Sequence, residues 1–220
     1  MQQTDTARAR QTKKRTRIQE VNSERILDAA LEVFSVHGFR GTTVDQIADK
    51  AGMSKPNVHY YFRRKKDLYL AVLSRTLEMW LRPLEEIAAD GDPETEIRRY
   101  VEAKIDMSRT DPSASRLFAS EILQGAPMLR PLLETRVRNL VDEKAAVFRR
   151  WAEAGRIAAV DPYHLVFTIW AVTQHYADFA VQIQAIEGRA TLDEAFFAEA
   201  KRNVYALLRD GLHGRSKGGS

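Results

Sequence analysis

The stretch TVDQIADKAGMSKPNVHYYF, residues 43–62, decides the fold, because its residue spacing builds two short helices around a sharp turn. Thr43 followed by Gln46 is a capping-box start, after which apolar residues recur at helical spacing. Gly52 suits the left-handed conformation of a helix end, and Ser54 can cap a second helix. The segment therefore predicts a helix-turn-helix whose second helix can enter DNA.

Two amphipathic helices joined by a glycine turn also occur in helical proteins that never contact nucleic acid. The preceding segment, residues 22–38, favours the DNA-binding interpretation. It predicts an amphipathic helix that ends at Gly38 and carries one apolar stripe. The stripe comprises Ile26, Leu27, Ala30, Val33 and Phe34. Three helices are what a compact DNA-binding headpiece requires.

The headpiece resembles the amino-terminal domain of TetR-family transcriptional regulators. The resemblance is carried by Ile26, Ala29, Ala30, Phe34, Gly38, Gly41, Thr42, Thr43, Ile47, Ala48, Ala51, Gly52, Ser54, Tyr61, Phe62, Lys65 and Leu68. Two later segments, SRLFASEILQGAP (residues 115–127) and IWAVTQHYADFAVQ (residues 169–182), resemble the uracil-responsive pyrimidine-utilisation repressors of that family. The resemblance implies an all-α, nine-helix fold with a helix-turn-helix headpiece followed by a helical domain for ligand binding and dimerisation.

Composition limits the class of protein. A chain of 220 residues with 44% hydrophobic content suits one or two small domains with a buried core. Cysteine is absent, which excludes disulfides and cysteine-based metal sites. The polar amino terminus does not resemble a secretory signal, so we expect a cytoplasmic protein. The longest run without charged residues, 164–177, is shorter than a membrane span and predicts a buried helix.

The charge is divided unevenly along the chain. Residues 1–70 contain 14 Lys and Arg against 8 Asp and Glu, whereas residues 71–220 contain 20 against 22. We expect residues 1–20 to form a flexible basic arm that follows the DNA backbone or reaches a groove, although a solubilising tail is the alternative. The headpiece then spans 21–66, the ligand-binding and dimerisation domain 67–213, and a flexible tail 214–220.

Helix starts are marked beyond the headpiece. Asp92, Asp111 and Asp161 each precede a proline, a pattern typical of a capping carboxylate before the first helical position. Thr191 and Glu194 suggest a capping box for the last helix. We therefore predict helices near residues 65–89, 93–109, 112–124, 127–154, 162–187 and 192–211.

The predicted helix at residues 162–187 is apolar on two sides, so one face can pack its own domain and the other a second subunit. The family resemblance likewise implies a homodimer through the last two helices of each chain. Two headpieces related by a two-fold axis then predict a palindromic operator, with half-sites roughly 34–36 Å or a related spacing apart.

The chemistry of the exposed side chains, together with the resemblance, divides the DNA contacts into two groups. Lys55, Pro56 and His59 are the candidates for reading bases. Candidates for phosphate contact are Thr42, Thr43, Asn57, Tyr60, Tyr61 and Lys65. Core packing is the alternative for Tyr61. The family usually has Tyr at the position of His59 and an acidic residue at that of Lys66, so sequence preference can differ from that of relatives.

A regulator needs an input, and all three tryptophans lie after residue 71. Gln174 lies one helical turn after Trp170, and a primary amide beside indole rings matches the donor and acceptor edge of a planar imide. Trp80 provides a second indole, although core packing alone also explains both tryptophans. The resemblance makes uracil the leading effector, and Phe118, Glu121 and Tyr176 are further ligand candidates.

Pro83 lies inside the helix that contains Trp80, where a proline kinks the backbone. It is either a static bend or a hinge that couples ligand to DNA binding. His175 and Asp178 have the spacing of a metal pair, but hydrogen-bonded helix residues are the simpler explanation, and we expect no metal or other cofactor.

Three further classes of protein are alternatives to this interpretation. An enzyme is not expected, because no nucleophile–base pair, metal cluster or phosphate-binding loop has a recognisable spacing. An architectural DNA-binding protein without an effector would use the same headpiece. A TetR-type regulator of a different small ligand is the main alternative to a uracil-responsive repressor.

Overall fold

The computed structural model describes the backbone of residues 2–213 and the side chains of residues 17–213. Every regular element in the described range is a helix, which confirms the all-α prediction. The chain divides between Arg75 and Thr76 into two compact units. The backbone of residues 2–20 is helical, and the role of this basic segment as a DNA-binding arm stays a prediction. The tail at 214–220 lies outside the described residues, so its flexibility also stays a prediction.

The first unit contains α1 (Gln2–Gly41), α2 (Val44–Ala51), α3 (Lys55–Tyr61) and the start of α4 (Lys65–Glu85). The apolar stripe predicted from residues 22–38 is largely buried, and Phe34 meets Tyr69 edge-on with ring centroids 4.9 Å apart. Gly38 has a φ of 64°, so the chain leaves helical geometry at the predicted stop. This core holds α2 and α3 in position.

The helix-turn-helix forms through the predicted caps. The Thr43 hydroxyl accepts a hydrogen bond from the Gln46 amide, and the Gln46 side chain accepts one from the Thr43 amide at 2.8 Å. Gly52 has a φ of 60°, in the left-handed region. The Ser54 hydroxyl then accepts from the amide of Asn57 to start α3. Local sequence therefore specifies the turn.

The second unit includes α5, whose buried face packs against α9 and α11. The elements after α4 are α5 (Pro93–Thr110), α6 (Pro112–Leu123), α7 (Arg130–Leu132), a π-helical turn (Leu133–Val137), α8 (Arg138–Glu153), α9 (Pro162–Asp178), α10 (Ala180–Glu187) and α11 (Glu194–Leu212). Within the described residues no helix has the length and apolarity needed to cross a membrane.

Several helix boundaries differ from the prediction. The helix containing Trp80 ends at Glu85 rather than near residue 89. The helix expected at 127–154 starts at Arg130 and passes through the π-helical turn. The helix expected at 162–187 is interrupted at Phe179, whose φ of −114° and ψ of 25° are not helical. Helix ends are commonly assigned with a difference of one or two residues, whereas the break at Phe179 divides one predicted helix into two.

The predicted caps have mixed outcomes. Asp92 and Asp161 accept hydrogen bonds from backbone amides of the first turn, as expected. Asp111 starts α6 but does not cap it, because its carboxylate accepts from the Thr110 hydroxyl instead at 2.6 Å. The predicted Thr191–Glu194 capping box is wrong: Asp193 is the N-cap of α11, where its carboxylate accepts from the Phe196 amide.

Candidate functional site

The exposed side of α3 carries most of the predicted DNA contacts. Lys55, Pro56, Asn57 and Tyr60 are exposed, whereas Val58 on the opposite side is completely buried. Burial of Val58 anchors the helix on the headpiece core and leaves the other face to solvent. Thr43, at the start of α2, is also exposed. These side chains are therefore free to meet a ligand outside the unit.

Lys55 is held by an ion pair on this surface. Its ammonium donates to Asp45 at 2.8 Å, and both side chains are about half exposed. The hydrogen bond from Lys55 lowers the pKa of the Asp45 carboxyl. Exposed ion pairs contribute little to stability, so a DNA acceptor can compete with Asp45 for Lys55.

The aromatic residues of α3 are braced by neighbours. The Tyr60 hydroxyl accepts a hydrogen bond from the Gln19 amide, and the half-buried Tyr61 hydroxyl accepts one from Asn22, each at 3.1 Å. His59 Nδ1 lies 3.2 Å from the carbonyl of Arg63, a contact that requires a proton on Nδ1. In a neutral ring this leaves Nε2 as an acceptor.

Two of the predicted phosphate contacts also form hydrogen bonds within the protein. Thr42 is 1% exposed and its hydroxyl donates to the carbonyl of Gly38 at 2.8 Å, so that hydroxyl is not available to a phosphate. Lys65 donates to the carbonyls of Phe39 and Thr42, each at 2.7 Å. Its ammonium therefore satisfies carbonyls at the end of α1, where helices leave such acceptors unpaired.

The second unit contains a cavity of about 840 Å³, lined mainly by apolar side chains. Four of the predicted ligand residues line it: Trp80, Phe118, Trp170 and Gln174. A volume of this size lies in the range of small-molecule sites. The cavity thus brings together residues from α4, α6 and α9 that are up to 94 positions apart in the chain.

Glu121 and Tyr176, two further predicted ligand contacts, do not line this cavity. Glu121 is buried, and its carboxylate accepts from the amide of Met128 at 2.6 Å. It therefore organises the loop after α6, in which Ala126 has a φ of 54°, strained for a residue with a side chain. Tyr176 instead packs against the rings of Phe196 and Phe197.

The two tryptophans of the cavity differ in hydrogen bonding. Trp170 Nε1 donates to the Tyr100 hydroxyl at 2.6 Å, which fixes the orientation of the indole. Burial raises the pKa of Tyr100, so its phenol stays protonated. Trp80 Nε1 is buried without a hydrogen-bond partner among the described residues. An unpaired buried N–H is rare and costly, so this wall of the cavity is not optimised for stability alone.

Gln174 lies one turn after Trp170 and one turn before Asp178, and all three line the cavity. Its amide makes no hydrogen bond to any residue in the described range, so both its donor and acceptor are available to a ligand. Asp178 accepts from the Ser115 hydroxyl at 2.5 Å. Burial raises the pKa of the Asp178 carboxyl, and the Ser115 hydrogen bond opposes this shift.

Sequence reasoning overlooked Lys104 as a cavity residue. It is only 2% exposed, and its ammonium lies 3.5 Å from the centroid of the Trp80 ring. Burial lowers the pKa of Lys104 well below its ordinary value, against the attraction of Asp178. A signal was present in the sequence, because Lys104 falls on the buried stripe of α5 with Tyr100 and Val101.

His175 and Asp178 do not form a metal centre with other residues of the described range. His175 stacks on Phe179 with ring centroids 4.9 Å apart, and no cluster of three or more His, Asp or Glu is placed to hold an ion within residues 17–213.

Large apolar side chains remain exposed on the last three helices and at the break between α9 and α10. Phe167, Phe179, Val181, Ile186 and Leu207 are between 49% and 79% exposed. Exposed large apolar side chains on neighbouring elements are typical of a protein interface, which makes these helices candidates for subunit contact.

Comparison with known proteins follows the same division of the chain. Residues 26–72 match the model of bacterial regulatory proteins, tetR family, and residues 73–215 match that of the C-terminal region of YcdC-like proteins. The chain is 45% identical over 204 residues to the HTH-type transcriptional regulator RutR of Escherichia coli strain K12. The aligned region covers 93% of this chain and 96% of that protein.

Solved structures share the fold. A TetR-like transcriptional regulator from Rhodococcus sp. RHA1 is 22% identical, with a TM-score of 0.64 over 89% of this chain and 97% of that one. AibR, in complex with isovaleryl coenzyme A and operator DNA, is 18% identical, with a TM-score of 0.65 over 86% of this chain and 98% of that one. At these identities the similarity concerns the fold.

Proposed function

The chain belongs to the TetR family of bacterial regulatory proteins, and on that premise we propose that it is a repressor released from a palindromic operator by a small planar imide, with uracil as the leading effector. The observation that carries the effector proposal is the cavity in which the unpaired amide of Gln174 lies among indole rings. The chain is a transcriptional regulator rather than an enzyme.

The headpiece supports the DNA-binding half of this proposal. Lys55, Pro56 and His59 read bases, because they lie on the open side of α3 with a cation, an apolar ring and an acceptor nitrogen. Thr43, Asn57 and Tyr60 contact phosphates, with Tyr61 in a bracing role beside them. The hydroxyl of Thr42 is withdrawn from this set because it is buried.

Dimerisation supplies a second headpiece. A single short recognition helix makes few base contacts, so pairing two headpieces raises affinity and sets the register on DNA. The exposed apolar residues of α9, α10 and α11 support a homodimer through these helices. The operator is then a palindrome bound by one dimer. The protein acts in the cytoplasm, where the DNA lies.

The effector proposal rests on complementary chemistry. A primary amide offers a donor and an acceptor side by side, which matches the N–H and C=O of an imide edge. The rings of Trp80 and Trp170 provide flat apolar walls for a heterocycle. The resemblance of residues 115–127 and 169–182 to pyrimidine-utilisation repressors supports a pyrimidine within this chemical class.

One observation favours a second candidate. The cavity volume of about 840 Å³ is suited to a drug-sized ligand rather than to a single six-membered ring. A TetR-type regulator of a larger planar ligand therefore remains the alternative. An architectural protein without an effector is disfavoured, because it has no use for a cavity of this volume.

Release from DNA tests the proposal. Operator fragments selected from random sequence are bound to the protein and then challenged with nucleobases and with larger planar amides. We expect uracil to release the DNA and Gln174→Ala to abolish that release while leaving operator binding intact. Asn139→Ala is the control, because it removes an exposed amide on α8 that does not line the cavity. Release by a larger ligand but not by uracil would overturn the uracil assignment.

A further inference from the structure

The two buried lysines of the second unit have different surroundings. Lys144 donates to the carbonyl of Ile87 at 3.1 Å and forms an ion pair with Glu143 at 3.0 Å. Lys104 is buried more deeply, yet its ammonium has no hydrogen-bond partner within the described part of the chain. Its neighbours are the face of the Trp80 ring and, at longer range, the charge of Asp178.

Lys104 lies among mostly apolar side chains, where an amine without a hydrogen-bond acceptor from the protein is poorly stabilised. The ring of Trp80 compensates in part through its negative face. Lys104 lines the cavity, so an oxygen of a bound molecule can supply an acceptor. A ligand oxygen at this place would therefore stabilise the amine of Lys104.

We propose that Lys104 is a specificity-determining residue of the cavity, which donates to an exocyclic oxygen of the effector ring and so selects oxo pyrimidines over amino pyrimidines. This inference rests on the proposed function, because it assumes that the effector is a pyrimidine. It assigns to Lys104 a selection that Gln174 cannot make.

The side-chain amide of Gln174 cannot by itself distinguish an oxo pyrimidine from an amino pyrimidine. Rotating its terminal amide by half a turn exchanges its donor and acceptor, so that it fits either an oxo ring with an N–H or an amino ring with a bare nitrogen. The Lys104 ammonium has only donors. An amino group at the same place would point its own N–H groups at those donors and leave both sides without an acceptor.

Burial lowers the pKa of Lys104 well below its ordinary value, and the charge of Asp178 opposes this shift. The face of the Trp80 ring, 3.5 Å from the ammonium, also favours the ammonium form. A carbonyl oxygen placed against Nζ favours that form further, since hydrogen bonding to a charged group stabilises it. An oxo ligand therefore strengthens the donor on which its own recognition depends.

The experiment compares uracil, cytosine and isocytosine, in which an amino group replaces the oxygen at one ring position or the other. Dissociation constants are measured by calorimetry for the wild type and for Lys104→Met, an unbranched side chain of similar length without donors. We expect the wild type to bind at least one amino ring about tenfold or more weakly than uracil, because buried donors are left unpaired. In Lys104→Met uracil should weaken by about tenfold and the preference should shrink to about threefold or less.

Two controls keep the result interpretable. Lys144→Met removes a buried lysine that has a partner, so it should lower the melting temperature and leave the preference among rings unchanged. Lys104→Met should keep or raise the melting temperature, because it removes an unpaired buried ammonium, which shows that the variant folds. An unchanged ring preference in Lys104→Met would overturn the role of Lys104 alone. Failure of the wild type to bind any of the three rings would overturn the pyrimidine effector itself.

Discussion

On the surface of the headpiece, Lys55 is paired with Asp45 and Tyr60 accepts a hydrogen bond from Gln19, whereas in the cavity Lys104 and Gln174 have no hydrogen-bond partner among residues 17–213. The difference follows from access to water. Exposed polar groups lose little when their partner changes, because solvent can replace it. Lys104 is buried and Gln174 is half-buried, and neither has a partner among the described residues, so the cavity keeps part of its hydrogen-bonding capacity for a ligand.

This comparison separates two kinds of recognition. The α3 surface exchanges weak, exposed interactions for contacts with DNA, which suits a complex that must form and dissociate. The cavity instead presents Gln174 and Lys104 inside an apolar enclosure, where each hydrogen bond to a ligand counts for more. The headpiece therefore favours reversible binding and the cavity favours selective binding.

The largest expected change in stability comes from a substitution in the core of the headpiece that leaves the cavity unit unchanged. Phe34 is 1% exposed, so Phe34→Ala should destabilise the headpiece by about 3–5 kcal/mol. We expect operator binding to be lost and calorimetric binding of uracil to persist, because Phe34 and the cavity belong to different units. Val36→Ala, at a side chain that is 75% exposed, should change stability by less than about 0.5 kcal/mol. Equal loss of uracil binding would show that the cavity depends on headpiece packing.

A smaller change in stability should distinguish Trp170, whose indole N–H has a hydrogen-bond partner, from Trp80, whose indole N–H has none among the described residues. Trp170→Phe breaks the hydrogen bond to Tyr100 inside the core and should destabilise the ligand-free protein by about 1–3 kcal/mol in addition to the lost ring area. Trp80→Phe removes the same atoms but no hydrogen bond within the described residues, so its loss should be smaller. Chemical denaturation of both variants measures the difference. A larger loss for Trp80→Phe would contradict this account of the cavity wall.

The smallest effect concerns the exposed pair on α3. Asp45→Asn removes the charge that holds Lys55, so operator affinity should rise by about two- to fivefold while the melting temperature stays nearly constant. Glu134→Gln is the matched control, because it breaks an exposed ion pair with Arg130 in the second unit. Its operator affinity should equal that of the wild type. Weaker operator binding by Asp45→Asn would mean that the ion pair positions Lys55 for DNA rather than competing with it.

Local signals predicted much of the helical framework. Thr43, Gly52, Ser54, Asp92 and Asp161 act where the sequence places them, because a cap or a left-handed glycine depends on residues within one turn. Prediction failed at Asp111, where two local partners compete for the same carboxylate. The carboxylate of Asp111 bonds the Thr110 hydroxyl instead of the helix start.

The site residues show the same limit. Gln174 and Trp170 could be related from the sequence because they share one face of α9. Glu121 and Tyr176 could not be excluded in that way, since the direction of each side chain depends on the loop and the helix against which it packs. Lys104 was visible only as a lysine on an apolar stripe.

The sequence by itself determined the family, the helix-turn-helix and the pairing of an amide with an indole on one helix, because these depend on local spacing and on a motif of many residues. Only the tertiary structure decided which polar groups find partners. Thr42 and Lys65 are committed to backbone carbonyls, whereas Lys104 meets the ring of Trp80 from another helix. Two polar groups form a hydrogen bond only when they lie close together in space, and that distance is set by the packing of segments that are far apart in the chain.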